Sequence, residues 1–106
     1  MGKLWMIAGR QVQGSDGRDR FGAYVVYSAG RLSRIFSVRG TPNAPLVTEL
    51  AAATTIDMRR FEAELEKEIR SEAGDQAAAP VTRPAEALVC GIVKEHLKTA
   101  ENLDVD

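Results

Sequence analysis

The chain is predicted to be an α+β domain, a three-stranded antiparallel meander followed by two helices (β-β-β-α-α), with both helices on one face of the sheet. Three observations predict this. Aromatic and β-branched residues concentrate before Gly40, an apolar stripe at helical spacing runs from Val47 to Ile69, and a second runs from Ala85 to Leu97. With 106 residues, 44% of them hydrophobic, the chain has enough material for one core without disulfides or metal, and too little for two. Residues 1–106 are therefore read as one domain.

Residues 1–40 form the expected basic β-meander. Leu4 to Val12 alternates imperfectly, with Leu4, Met6, Ala8 and Val12 on one side and Trp5 and Ile7 on the other, as for a strand covered on parts of both faces. Gly14 to Asp19 is dense in turn residues and charge, and reads as a loop. Phe21 to Ser28 carries the side chains that best fit a pleated surface. Ala29-Gly30 then offers a tight turn, because glycine tolerates positive φ. The third strand, Leu32 to Val38, places Leu32, Arg34, Phe36 and Val38 together. Arg34 on that apolar side is either a partly buried ion-pair member or a sign that the facing is reversed.

Thr41-Pro42-Asn43-Ala44-Pro45 is expected to end the sheet, since each proline removes a backbone donor and disfavours helix in the residue before it. A long helix is then predicted over 45–72. Val47, Leu50, Thr54, Met58, Phe61, Leu65 and Ile69 recur at intervals of three or four along one face. Unbroken from Leu46 to Ile69, it would reach about 36 Å at 1.5 Å per residue, so it should kink, protrude or pair. Thr54-Thr55-Ile56-Asp57, a Thr-x-x-Asp capping pattern, is the candidate kink site, but the stripe passes through it in phase and a continuous or gently bent helix is expected. Residues 73–83 read as a linker. Pro84 opens a second helix over 84–100 with Ala85, Leu88, Val89, Ile92, Val93 and Leu97 along its apolar face, and Gly91 inside it suits a close backbone approach. An acidic tail, 101–106, is expected to fray.

The net charge of −1 hides a polarity along the chain. Through Gly40, seven basic residues stand against two acidic ones, and the remainder has seven basic and thirteen acidic. The two halves are thus +5 and −6, and either attract each other or meet different partners. Arg60 with Glu64 and Glu66 with Arg70 are i,i+4 pairs suited to an exposed helix face. The single cysteine, Cys90, cannot build a disulfide framework, no apolar run reaches membrane-spanning length, and the N-terminus lacks a secretory pattern; a cytoplasmic protein with no membrane association is expected. His96 is the only histidine and has no neighbouring ligand set, so no metal and no cofactor are expected.

Two family resemblances arise. Arg20-Phe21-Gly22-Ala23-Tyr24-Val25-Val26-Tyr27 resembles the RNA-recognition-motif signature with Phe21 and Gly22 exchanged, which leaves Tyr24 as the residue matching a base-stacking aromatic. From Leu4 to Ala53 the chain resembles the N-terminal half of the ribonuclease-H-like fold, three strands and a helix, in Gly22-Ala23, in Thr41-Pro42-Asn43 and in Thr48-Glu49-Leu50-Ala51-Ala52. That resemblance implies a metal-holding carboxylate on the helix, and only Glu49 carries over. The first-strand aspartate position falls at Ala8 or Gly9 and no fourth strand is expected, so the match is catalytically incomplete.

No catalytic constellation is found, and the reading favoured by the sequence is a non-enzymatic binding or assembly module, homodimeric, acting through protein contacts. The candidate interface is the helix stripe at Met58, Phe61, Leu65 and Ile69, because one small sheet has limited area to cover it. Two alternatives stand beside it. Arg10, Arg20, Arg31, Arg34 and Arg39 with Tyr24 would bind nucleic acid, or a pocket between the sheet and the second helix near Gly91 would take a small molecule.

Overall fold

The computed structural model of the chain describes residues 2–13, 19–50, 58–73, 81–103 and 105. Its class is α+β, as predicted. The elements are β1 (Lys3–Gln13), β2 (Asp19–Ala29), β3 (Leu32–Thr41), β4 (Ala44–Leu50), α1 (Met58–Ala73), β5 (Val81–Thr82) and α2 (Glu86–Glu101). The strands form one antiparallel sheet in the order β4-β3-β2-β1-β5. Five strands replace the predicted three. The first three and the turn at Gly30, whose φ is 64°, lie where the residues indicated.

The predicted helix over 45–72 is corrected at its start. Pro42-Asn43 does not end the sheet but makes a two-residue turn, and Ala44–Leu50 returns beside β3 with Thr41 opposite Ala44 and Ile35 opposite Leu50. The stripe that begins Val47, Leu50 is compatible with both periods, because an edge strand partly exposed on both faces shows no clean alternation. Among the described residues, helix begins at Met58. The candidate kink site at Thr54–Asp57, through which a continuous or gently bent helix is expected, lies outside the described residues, as do most of the linker, the loop over 14–18 and Asp104 and Asp106 of the tail. Within 73–83, Val81–Thr82 is a strand that pairs with Gln11 and Val12 of β1.

The helices are not on one face. Side chains alternate across a sheet, so Tyr27, Val25, Ala23 and Phe21 of β2 point one way and Val26, Tyr24 and Gly22 the other. The first set packs with Met6, Phe36, Val38 and the buried α2 residues Val89, Val93 and Leu97. The opposite face carries α1: Phe61 lies against the Tyr24 ring at 4.5 Å between centroids, and a Cβ at Gly22 would come within 2.8 Å of Leu65 Cδ2. Glycine there leaves space that the end of the Leu65 side chain occupies. Ile7, Val26 and Ile35 make a second buried cluster on that side, with Tyr24 and Leu50.

The irregular alternation of β1 has a cause. Its register against β2 shifts between Met6 and Ala8, a bulge at Ile7, so Met6 pairs with Val25 while Ala8 pairs with Tyr24. Ala8 and Val12 therefore move to the side of Trp5 and Ile7, away from Leu4 and Met6. The tail is also anchored in part. Val105 is 5% exposed within the α2-side core and bridges Gly2 in parallel, after α2 has ended at Asn102 in the left-handed conformation.

Candidate functional site

The charge polarity of the sequence resolves into ion pairs between its halves. On the α1 face, Arg10 Nη2 meets Glu62 Oε2 at 3.0 Å, and Arg39 Nε meets Glu68 at 2.7 Å while its Nη2 donates to the Tyr24 hydroxyl at 2.9 Å. On the α2 face, Arg34 donates through Nε and Nη2 to both oxygens of Glu49, each at 2.8 Å, and through Nη1 and Nη2 to Glu101 at 3.0 and 2.6 Å. Its guanidinium also lies 5.2 Å from the centre of the Phe36 ring. Arg34 is thus an ion-pair member on the apolar side, one of the two alternatives its position allowed. The hydrogen bonds and charge of its two carboxylates hold the guanidinium protonated well above the usual arginine range, and the same bonds hold Glu49 and Glu101 below the usual carboxylate range.

Of the predicted interface residues, Leu65 and Ile69 are 1% and 0% exposed and belong to the chain's own core. Phe61 is half-buried on Tyr24, and Met58 is the first residue of α1. Phe61, Leu65 and Ile69 meet the sheet face that the one-sided arrangement leaves unused. Of the arginines, Arg10, Arg34 and Arg39 are engaged as above, Arg20 is half-buried on β2 and Arg31 is exposed at the β2–β3 turn. Glu49, expected in a first helical turn, is on β4. Among the described residues no group of three or more His, Cys, Asp or Glu side chains is placed to hold a metal ion.

What the structure brings together instead is an apolar groove of about 760 Å³ between β4 and α2, lined by Pro45, Leu46, Val47, Leu88, Gly91 and Ile92 among others. It arises because α2 crosses the sheet obliquely. Pro84, just before the helix, lies against Gly9 of β1 and Glu86 accepts the Met6 N–H at 3.2 Å, whereas Glu101 at the far end reaches Arg34 on β3. The first turns of α2 consequently stand off from β4. Leu46 is 65% and Leu88 43% exposed at the rim, and a Cβ at Gly91 would meet no atom within 4 Å, so this glycine opens the groove rather than admitting another backbone of the same chain.

The groove runs beside a free sheet edge whose hydrogen-bonding pattern follows from one residue. Among the described residues β4 pairs only with β3, at one end of the sheet. Pro45, opposite Gly40, has no N–H, so that pair is the non-hydrogen-bonded kind, and strict alternation then turns the backbone N–H and C=O of Val47 and Glu49 outward. The edge therefore presents donors at Val47 and Glu49, acceptors at Pro45, Val47 and Glu49, and apolar side chains next to them. Proline with its nitrogen on the open side is the placement a strand edge tolerates. The sequence missed this wall of the site because β4 was read as helix; the signal available was the Pro42-Asn43 turn between two runs with β-branched Val38 and Val47-Thr48.

Compared with protein families, with curated proteins and with solved structures, the chain gives no match. No described helix is long and apolar enough to cross a membrane.

Proposed function

We propose that the chain is a non-enzymatic binding module that acts through protein contacts and takes an extended polypeptide segment alongside β4, with alternate side chains of that segment in the groove against α2. The observation that carries this is the coincidence of outward Val47 and Glu49 backbone groups with an apolar groove on the same edge. Strand addition draws affinity from main-chain hydrogen bonds and specificity from pockets for alternate residues, and both parts are present here. Nucleic-acid binding has less support, since Arg10, Arg34 and Arg39 are already matched to carboxylates.

The test is to select heptapeptides from a displayed random library against the purified chain and to follow backbone amide exchange as each selected peptide is added. Strand addition protects the Val47 and Glu49 amides together. Selected peptides that leave both amides unprotected defeat the reading. A small apolar probe such as anilinonaphthalene sulfonate that displaces the peptides while leaving the amides unprotected favours a ligand pocket instead, the size of the groove being within the range of such sites.

A further inference from the structure

We infer that the segment seated on the β4 edge is β4 of a second copy of this chain, paired antiparallel about a twofold axis through Val47. This rests on the strand-addition reading and names its occupant. Residues opposite one another in a sheet share a face, so a symmetric antiparallel pairing must place its axis on a residue, and Val47 is the centre of Ala44–Leu50. With the axis there, Val47 exchanges both backbone bonds with the partner's Val47, and each Glu49 N–H donates to the Pro45 carbonyl across from it.

Charge selects this register and this occupant. An axis at Leu46 would set Val47 against the partner's Pro45 and leave two backbone bonds within Ala44–Leu50, against four with the axis at Val47. An axis at Thr48 would make the two Glu49 side chains diagonal neighbours, a like-charge contact. At Val47 they are separated, and each faces a proline. Natural edges are guarded against pairing by outward charge and by proline; Pro45 removes one donor near the start of β4, but the only charged residue of the strand is Glu49, and its carboxylate is held inward by Arg34 at 2.8 Å. The edge is thus neutral and matches a neutral edge. Leu46, 65% exposed, meets the partner's Thr48 with the partner's Leu46 diagonally beside it. The same axis puts both α2 helices on one side of the joined sheet and turns the two grooves toward each other, so that Leu88 of each copy fills space beside the other.

The experiment combines mass and register. Light scattering on the eluting full-length chain at high concentration gives twice the mass of one chain, and Leu46→Lys returns it to a single chain with its circular dichroism unchanged. In a Cys90→Ala background, Val47→Cys is captured as a covalent dimer by oxidation or a short bismaleimide, because Cα atoms in a hydrogen-bonded pair are about 5.5 Å apart, whereas Ala44→Cys, at the strand end, is not. A single-chain mass at every concentration with no capture at position 47 overturns the inference. So does a dimer that is captured equally at 44, or one that survives Leu46→Lys. If the chain is monomeric while library peptides still protect the Val47 and Glu49 amides, the second copy is wrong and the strand-addition reading stands; if neither occurs, both fall.

Discussion

Arg34 on β3 holds Glu49 on the edge strand β4 through two parallel hydrogen bonds of 2.8 Å, and the same guanidinium reaches Glu101 in the last turn of α2. One side chain therefore ties the edge strand, its neighbour and the far end of the helix that walls the groove. The contact is partly exposed, with Glu49 at 43% of its side-chain area, so its effect on global stability is modest. Its local effect is larger. Arg34→Ala is expected to speed hydrogen exchange at the Thr48 and Leu50 amides, which bond to β3, more than at β2 amides, while lowering overall stability by at most about 1 kcal/mol.

The Glu49 carboxyl, held below its ordinary value of 4.5 by the Arg34 hydrogen bond, gives this clasp a pH dependence. A depressed folded value means that the unfolded chain binds the proton first, so the stabilisation is complete above about pH 4.5 and is lost as pH falls through the lower folded value. Glu49→Gln is expected to be less stable than the parent chain near neutral pH, and the gap should narrow steadily below pH 4.5. Urea unfolding of both proteins across that range checks it. A gap that widens on acidification would mean that Glu49 is not the proton acceptor concerned.

Leu65 and Ile69, both fully buried under α1, are expected to behave as core residues. Leu65→Ala and Ile69→Ala should each cost about 2–5 kcal/mol in denaturant unfolding, with the cost independent of protein concentration. A loss that grows on dilution would restore them to an interface between copies.

The helical stripe was legible from Phe61 onward because three- and four-residue spacing persists there whichever face of the sheet it meets. Which face it meets was not legible: that choice depends on Gly22 leaving room for Leu65 and on Arg10 and Arg39 waiting for Glu62 and Glu68, pairings between positions far apart in sequence. The phase of β1 was misread for a related reason. A one-residue bulge at Ile7 is invisible in a short apolar run, yet it carries Ala8 and Val12 to the other face. The space near Gly91 was anticipated, but its other wall was not, since the same Val47–Leu50 spacing serves a strand and a helix.

The end of the chain is part of the fold in a way its acidic composition hides. Val105 is 5% exposed, and Leu103 packs against the α2-side core. Its N–H donates to the Leu97 carbonyl at 3.2 Å after Asn102 has turned the chain at φ 55°. A chain stopped after Asn102 loses both side chains, and burying one valine is worth about 1.5–3 kcal/mol. Its midpoint in urea should fall accordingly. Asn102→Gly, which suits the left-handed conformation, should leave it unchanged or slightly higher.

Cys90 is half-buried on α2, and burial together with the nearby Glu86 carboxylate pushes its thiol above the ordinary value of 9.0. Both causes disfavour the thiolate, which is the reactive form. The native chain should therefore react with Ellman's reagent at about pH 8 more slowly than free cysteine does, and the rate should rise in urea as the fold opens. Replacing Glu86 with Gln separates the two causes: the rate rises modestly if the carboxylate acts through its charge, while burial continues to hold it below that of the unfolded chain. A native rate equal to the unfolded one would show that neither acts on the thiol. Slow reaction also means that the Cys90→Ala background used to place cysteines on β4 removes a sluggish competitor rather than an active one.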